Sequence, residues 1–203
     1  MTTRPPVCPD LDFDENRHVY TLHGRVLPSV TTILAAEGLA GDVSHFTDEH
    51  RTMGTMRHLV TELHDQGDLD EDSLDPALVP ALDAWRRFVA DTGFEPHYIE
   101  EKVYSDLGYA GRIDRVGTIG RDLTIIDVKG ASDVPSYGPQ VHLYAHAWRE
   151  RTGEQPTKLL CVHLQKDGTY RVKTHNDRTA LSVGLSAVTL HAWKRANVRA
   201  RRG

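Results

Sequence analysis

The chain has 203 residues, of which 39% are hydrophobic and 26% are charged, as in an ordinary soluble globular protein with enough chain for one full core. Its two cysteines are too few for a disulfide scaffold or a four-cysteine iron–sulfur cluster, and we predict no such cluster. The formal net charge of −5 argues against a protein that coats nucleic acid by bulk attraction, but it allows a local basic groove.

The longest apolar runs and the N-terminus bear on where the protein acts. No apolar run approaches the ~20 residues that a membrane helix needs, so we expect no membrane contact. The segment around Pro5 and Pro9 lacks the basic and then apolar pattern of a signal peptide. We therefore predict a cytoplasmic protein.

The first 93 residues are predicted to form hairpins followed by helices. Alternating residues between 13 and 27, interrupted by turn signals, predict one or two short β-hairpins. Helical spacing and capping residues then predict three helices, at residues 29–36, 47–65 and 75–92. Pro80 interrupts the third of these, so a start later than Asp75 stays open.

After Gly93 the spacing of apolar residues changes from helical to strand-like. Three consecutive strands are predicted at residues 98–104, 109–116 and 123–128. A helix near 137–151, strands at 158–165 and 169–174, and a final helix capped by Asp177 follow. The order indicates an α/β fold, and we expect one domain over 1–203, with a hairpin and helical region at 1–93 and an α/β core at 94–203.

Two aspartates and a lysine stand at the ends of adjacent predicted strands. Asp114 and Asp127 each follow an apolar, β-branched run, and Lys129 shares a strand face with Asp127. An Asp–Lys pair at a strand end is often only a surface ion pair. Hairpin pairing, however, brings Asp114 close to Asp127, and like charges repel unless a cation neutralises them. Two carboxylates and an ammonium are what a Mg²⁺-dependent phosphodiesterase needs.

A third carboxylate is predicted on the strand before Asp114. Glu101 is the candidate on that strand, and Glu100, from the opposite face, competes with it. Three acids on three adjacent strands, with a lysine, are hard to explain as solvated surface residues. Oxygen-rich ligands favour Mg²⁺ or Mn²⁺ over zinc.

Several segments together resemble the core of the PD-(D/E)xK nuclease superfamily. They are Gly54-Thr-Met-Arg-His58, Glu101, Gly111-x-x-Asp114, Asp127-x-Lys129 and Gln140-x-x-x-Tyr144. With Pro28-Ser-Val-Thr-Thr-Ile-Leu34 upstream, they are similar to the RecB-like exonuclease branch, which includes mitochondrial genome maintenance exonucleases and many phage proteins. The resemblance covers roughly residues 20–144, and Ile113 replaces the proline that names the superfamily.

The resemblance implies a restriction-endonuclease-like core, in which helices flank a mixed central sheet and an N-terminal helical segment precedes it. It implies Mg²⁺ or Mn²⁺ as cofactor, with metal ligands from His58, Glu101, Asp114, Asp127 and the carbonyl of Val128. Lys129 would orient or help deprotonate the attacking water, and Gln140 would position the lysine or the scissile phosphate. We expect contacts to nucleic acid from Arg51, Arg57, Arg112 and Tyr144.

The leading hypothesis is a metal-dependent DNA exonuclease that acts on single strands or on DNA ends. An endonuclease of restriction or junction-resolving type on the same core is one alternative. A catalytically silent nucleic-acid-binding scaffold is another, and the complete set of acids argues against it. Cleavage polarity, DNA versus RNA and the oligomeric state stay open, and a phage origin would suit the family.

Overall fold

The computed structural model describes residues 4–15, 17–41 and 48–198, with the backbone alone at 48–51. Its strands are β1 (Leu11–Asp14), β2 (Val19–Leu22), β3 (Arg25–Leu27), β4 (Phe94–Ser105), β5 (Tyr109–Ile119), β6 (Asp122–Lys129), β7 (Lys158–Leu164) and β8 (Tyr170–Thr174). Its α-helices are α1 (Val30–Ala36), α2 (Asp48–Gln66), α3 (Val79–Thr92), α4 (Tyr137–Thr152) and α5 (Thr179–Asn197). No helix in this part of the chain is both long and apolar enough to cross a membrane.

The strands form two sheets that follow each other along the chain. Strands β1 to β3 make an antiparallel sheet, and β4 to β8 make a five-stranded sheet in chain order. Within the larger sheet β6 and β7 are parallel, whereas the other neighbours are antiparallel. Because parallel neighbours need a crossover, α4 carries the chain from β6 to β7. This mixed sheet with flanking helices confirms the predicted α/β architecture.

Two apolar clusters pack against the five-stranded sheet. The first joins β4 to β6 with α1, α4 and α5, and it includes Ile125 and Trp148. The second joins β6 and β7 with α3, and it includes Ile126 and Trp85. Because Ile125 and Ile126 belong to different clusters, helices cover both faces of β6. By alternation, Asp127 lies on the face of Ile125, which α4 covers.

The third helix begins later than the Asp75 signal. It starts at Val79 with Pro80 in its first turn, where a missing N–H loses no helical partner. Asp75 instead stabilises the preceding turn, because its carboxylate accepts a hydrogen bond from the Ala77 N–H at 2.8 Å. The proline therefore marks the start of the helix rather than an interruption within it.

The small sheet packs on the beginning of β5. The Ala110 N–H donates to the carbonyl oxygen of Pro28 at 3.0 Å, and Ser29 forms a β-bridge with Ala110. A third apolar cluster buries side chains of the small sheet together with Ala110. Ser29 also caps α1 as predicted, because its hydroxyl accepts a hydrogen bond from the Thr32 N–H at 3.0 Å. Residues of the 1–93 region thus lie directly beside the strand that carries Asp114.

Candidate metal centre

Side chains from α2, β4 and β5 converge on a cavity of about 850 Å³. His58, Glu100 and Asp114 each offer a ligand atom, and these atoms all lie within 4.8 Å of one another. The Nδ1 atom of His58 lies 3.2 Å from Oδ2 of Asp114. The same oxygen accepts a hydrogen bond from the Val128 N–H at 2.6 Å. One imidazole and two carboxylates are therefore available to hold a cation.

The third carboxylate belongs to Glu100, which corrects the expectation for Glu101. Oε1 of Glu101 accepts a hydrogen bond from the Val7 N–H at 2.8 Å, so this carboxylate is engaged with the N-terminal segment. Glu100 lines the cavity together with Asp114. The geometry therefore supports Glu100 rather than Glu101 as a metal ligand and as part of the reactive site.

The alternation of side chains along β4 breaks down at Glu100. In a regular strand Tyr98 and Val103 would lie on opposite faces, yet both pack in the same apolar cluster. Glu100 has a φ of +52°, in the left-handed region that residues other than glycine rarely adopt. This left-handed residue lies between Tyr98 and Val103, and directly after it Glu101 faces the N-terminal segment instead of the cavity. Such residues persist where surrounding contacts hold them, often at functional sites.

Asp127 and Lys129 form a second group in the same cavity, next to the three potential ligands. Nζ of Lys129 lies 2.5 Å from Oδ2 of Asp127. Gln140, in the first turn of α4, contacts both: its amide N–H donates to Oδ1 of Asp127 at 3.4 Å, and its amide oxygen lies 3.5 Å from Lys129. The Gln140 amide also donates to the Tyr144 hydroxyl at 3.1 Å. The structure thus brings these four predicted residues together.

Three acids of the cavity, Glu100, Asp114 and Asp127, differ in how readily they ionise. Burial, reinforced by the charge of Asp114, raises the pKa of Glu100 to about 7, although nearby arginines oppose the shift. Burial raises the pKa of Asp127 to about 6 against the opposing charge of Lys129. Burial would also raise the pKa of Asp114, but the His58 ring and Lys129 together lower it to about 2. Asp114 is therefore the most strongly ionised of the three acids.

The basic groups of the cavity bind protons more tightly than usual. Burial alone would lower the pKa of His58, but the Asp114 carboxylate raises it overall. Burial would likewise lower the pKa of Lys129, whereas Asp127 and Asp114 raise it. Lys129 is consequently an ammonium at neutral pH, and His58 carries a proton more often than a free imidazole does.

The donor set fits a divalent cation that prefers oxygen ligands. Carboxylates this close together repel each other unless positive charge lies between them. Protein cations supply that charge in the structure: Nε of Arg112 lies 2.8 Å from Oε2 of Glu100, and His58 contacts Asp114. Carboxylates with a single imidazole suit Mg²⁺ or Mn²⁺ better than a thiolate-seeking metal.

The arginines predicted to contact nucleic acid differ in what the structure shows of them. Arg112 is partly exposed and lines the cavity. Arg57 lines an adjoining cavity together with Lys129 and His58. The side chain of Arg51 lies outside the described residues. Arg57 and Arg112 therefore supply positive charge at the borders of the cluster.

Two of the predicted residues, Tyr144 and Val128, are buried and contact side chains of the cavity. Tyr144 is 5% exposed, and its hydroxyl accepts a hydrogen bond from Gln140. Val128 is 1% exposed, and its N–H donates to Asp114, while metal ligation by its carbonyl stays a prediction. Tyr144 thus helps to hold Gln140 in position, and Val128 helps to hold Asp114.

The buried ion pair of Arg115 and Asp65, beside the cluster, does not follow from the sequence patterns. Arg115 is fully buried, with Nε 2.6 Å from Oδ2 of Asp65 and Nη1 3.2 Å from Oε1 of Glu100. An arginine within an apolar strand is a visible signal, but nothing in the pattern pairs it with an acid 50 residues earlier. Cys161 is also buried at this place, with its Sγ 3.9 Å from Oδ2 of Asp127.

Comparison with known families identifies one match. The model of the PD-(D/E)XK nuclease superfamily matches residues 51–202, which is more than half of the chain. The matched range contains every residue of the two cavity groups described above. A search of curated proteins finds no match.

Solved structures with a similar fold share little sequence with this chain. A proposed exonuclease from Eubacterium rectale is 13% identical and superposes with a TM-score of 0.60, over 87% of this chain and 82% of its own. At that identity the likeness is one of fold. A second structure, SSO0001, is 12% identical with a TM-score of 0.41, over 79% of this chain and 70% of its own, an overlap too loose to bear on the fold.

Proposed function

The chain belongs to the PD-(D/E)XK nuclease superfamily, and from that premise we propose that it is a metal-dependent DNA exonuclease of the RecB-like branch. It would hydrolyse phosphodiester bonds in single strands or at DNA ends, with Mg²⁺ or Mn²⁺ as cofactor. One observation carries the proposal: His58, Glu100 and Asp114 meet within 4.8 Å, beside the pair of Asp127 and Lys129.

The proposed ligands are His58, Glu100 and Asp114, with Asp127 beside them. A divalent ion in this position would supply a water nucleophile at neutral pH and positive charge for the phosphate oxygens. Asp114, with its pKa of about 2, offers a fully ionised carboxylate at neutral pH. Its Oδ2 atom is already oriented by the Val128 N–H, so little rearrangement is needed for ligation.

Lys129 is proposed to act through its charge. Because Asp127 and Asp114 raise its pKa, the side chain stays an ammonium, which has no lone pair to accept a proton. We therefore assign it to orienting the attacking water and to stabilising the negative charge that develops on the phosphate, rather than to deprotonating the water. The ion pair with Asp127, at 2.5 Å, holds the ammonium in place before substrate binds.

Gln140 is proposed to hold this charged pair in position. It contacts both Asp127 and Lys129, and the Tyr144 hydroxyl accepts a hydrogen bond from the same amide. Preorganised polar groups of this kind favour reaction because they need not reorient as charge develops. Arg57 and Arg112 are proposed to contact the phosphate backbone, which predicts DNA affinity that falls with salt.

The proposed substrate in the cavity is a single strand rather than a duplex. The cavity volume of about 850 Å³ lies within the ~300–1,000 Å³ of pockets that enclose one small organic ligand. One wall comes from α2, at Gly54 and Leu59, and another from the small sheet, at Phe13 and Tyr20. We propose that a short stretch of nucleotides lies between these two walls. The fold neighbour from Eubacterium rectale is itself a proposed exonuclease, which agrees with the exonuclease part of the proposal.

Digestion of defined DNA substrates tests the proposal. Linear oligonucleotides, single- and double-stranded and labelled separately at the 5′ and 3′ ends, are compared with covalently closed circles in Mg²⁺, Mn²⁺ and EDTA. We expect metal-dependent shortening of linear DNA from an end, with circles intact. Cleavage of circles would favour the endonuclease alternative, and binding without cleavage would favour the silent scaffold.

A further inference from the structure

We propose that Arg115 is a positioning residue that sets the spacing of His58, Glu100 and Asp114, and thereby the affinity of the site for its divalent ion. The inference rests on the proposed function, because these three residues are the proposed ligands. Arg115 touches neither substrate nor metal in this scheme, and it acts through the residues that do.

Arg115 is connected to each of the three ligand-bearing elements. Its Nη1 donates to Oε1 of Glu100 at 3.2 Å and to the carbonyl oxygen of Asp114 at 2.6 Å. Its Nη2 donates to the hydroxyl of Thr61 at 3.3 Å, and that hydroxyl donates to the carbonyl oxygen of His58 at 2.9 Å. One planar guanidinium therefore ties β4, β5 and α2 together at their ligand residues.

Two further buried residues, Asp65 and Trp85, hold Arg115 in place. Its Nε donates to Oδ2 of Asp65 at 2.6 Å, and the other oxygen of this carboxylate accepts the indole N–H of Trp85 at 2.9 Å. The guanidinium carbon also lies 5.5 Å from the centre of the Trp85 ring. Arg115 and Trp85 are 0% exposed and Asp65 is 7% exposed. A buried charge with all its partners in place is costly to displace, so the guanidinium has one preferred position.

The conformation of Glu100 shows why this positioning matters. A left-handed φ of +52° in a residue other than glycine is a strained conformation that persists only where contacts compensate for it. Arg115 and Arg112 contact the two oxygens of Glu100. Arg112 is partly exposed, whereas Arg115 is fully buried. Arg112 is the closer contact at 2.8 Å, and Arg115, at 3.2 Å, is the fully buried contact that ties the Glu100 carboxylate to the other two ligand elements.

Thr61 permits a test that keeps Arg115 itself intact. Thr61→Val removes the hydroxyl that joins Arg115 to the His58 backbone. Thr124→Val is the matched control, because Thr124 is equally buried and donates to a backbone carbonyl, that of Asp122, at 2.9 Å. Arg115→Lys keeps the charge but loses the forked geometry that serves several partners at once.

Mn²⁺ affinity is measured by isothermal titration calorimetry on folded wild type and variants, and the free energy of unfolding is measured in metal-free urea titrations. Residues that orient metal ligands typically change affinity by about 10- to 100-fold. We expect that loss in Thr61→Val and Arg115→Lys, and an unchanged dissociation constant in Thr124→Val, although both threonine variants lose similar stability. Raising the Mn²⁺ concentration should restore nuclease activity to Thr61→Val.

The outcomes separate this inference from the proposed function. Wild-type affinity in Thr61→Val and in folded Arg115→Lys would overturn the positioning role and leave the nuclease proposal standing. Equal losses in Thr61→Val and Thr124→Val would also overturn it, because general loosening would then explain the effect. If Arg115→Lys does not fold, Thr61→Val alone decides. Wild-type protein that binds no Mn²⁺ would overturn the proposed function and this inference with it.

Discussion

Nζ of Lys129 lies 2.5 Å from Oδ2 of Asp127, and the centre of the Tyr137 ring lies 4.6 Å from the same nitrogen. The contact places a fixed positive charge next to the three proposed metal ligands without making it one of them. Charge stabilisation and metal binding therefore depend on different side chains in this cavity. Mutations can separate the two functions.

Lys129→Met should abolish most activity while preserving metal binding. Removing one preorganised charge-stabilising group typically costs about 10²- to 10³-fold in turnover, and we expect a loss of that size at saturating Mn²⁺. Initial rates on end-labelled single strands measure it, and calorimetry checks that Mn²⁺ still binds. Lys173→Met is the control, because Lys173, on the exposed strand β8, forms an equally short ion pair with Asp133. Normal turnover in Lys129→Met would contradict the proposed role.

Glu100→Gln and Glu101→Gln should behave differently although the residues are adjacent. Loss of a ligand charge in Glu100→Gln should weaken Mn²⁺ binding by at least about tenfold, because anionic oxygens bind hard cations far better than amides do. Glu101→Gln keeps an oxygen that can accept the Val7 N–H, so it should lose no more than about 1 kcal/mol of unfolding free energy. Calorimetry measures the Mn²⁺ affinity of each variant, and urea titration measures its free energy of unfolding. Equal metal affinity in the two variants would restore Glu101 as a candidate.

The different outcomes for these residues show what the sequence can predict. Period-two spacing places Asp127 and Lys129 correctly, because β6 is regular and paired on both sides. The same spacing fails for Glu101, because the left-handed residue that disturbs β4 is a glutamate, and no glycine marks the irregularity. The contacts of Arg115 could not be predicted from local sequence patterns, for a different reason. Its partners outside the sheet come from α2 and α3, whose packing against the sheet is a tertiary property.

The α/β architecture was easier to predict than the details of the cavity. Hydrophobic period and turn residues determine the order of strands and helices, and these signals are local. The position of α2 over the sheet brings His58 to Asp114, and only the family resemblance indicated that meeting. The direction of each carboxylate depends on single backbone dihedrals, which periodicity does not encode.

Metal binding should release protons and strengthen as pH rises from 6 to 7. In metal-free protein the proposed ligand Glu100 has a pKa of about 7, and the pKa of the proposed ligand His58 is raised. Below these values the groups hold protons that an ion must displace, so affinity should increase about tenfold per pH unit for each proton released. Calorimetry in two buffers of different ionisation enthalpy counts those protons. Affinity that does not change with pH would contradict the assigned ligands.

Gly111→Ala should slow the reaction by disturbing Tyr144. A Cβ at position 111 would lie 2.5 Å from Cε1 of Tyr144, so the ring must move and its hydrogen bond with Gln140 is lost. Because displacement of about 1 Å near reacting groups can cost about 10²-fold, we expect turnover to fall by at least tenfold. Tyr144→Phe removes only the hydroxyl and should act through the same bond. The double variant should therefore be no slower than the slower single variant, and additive losses would show that Gly111 acts by another route.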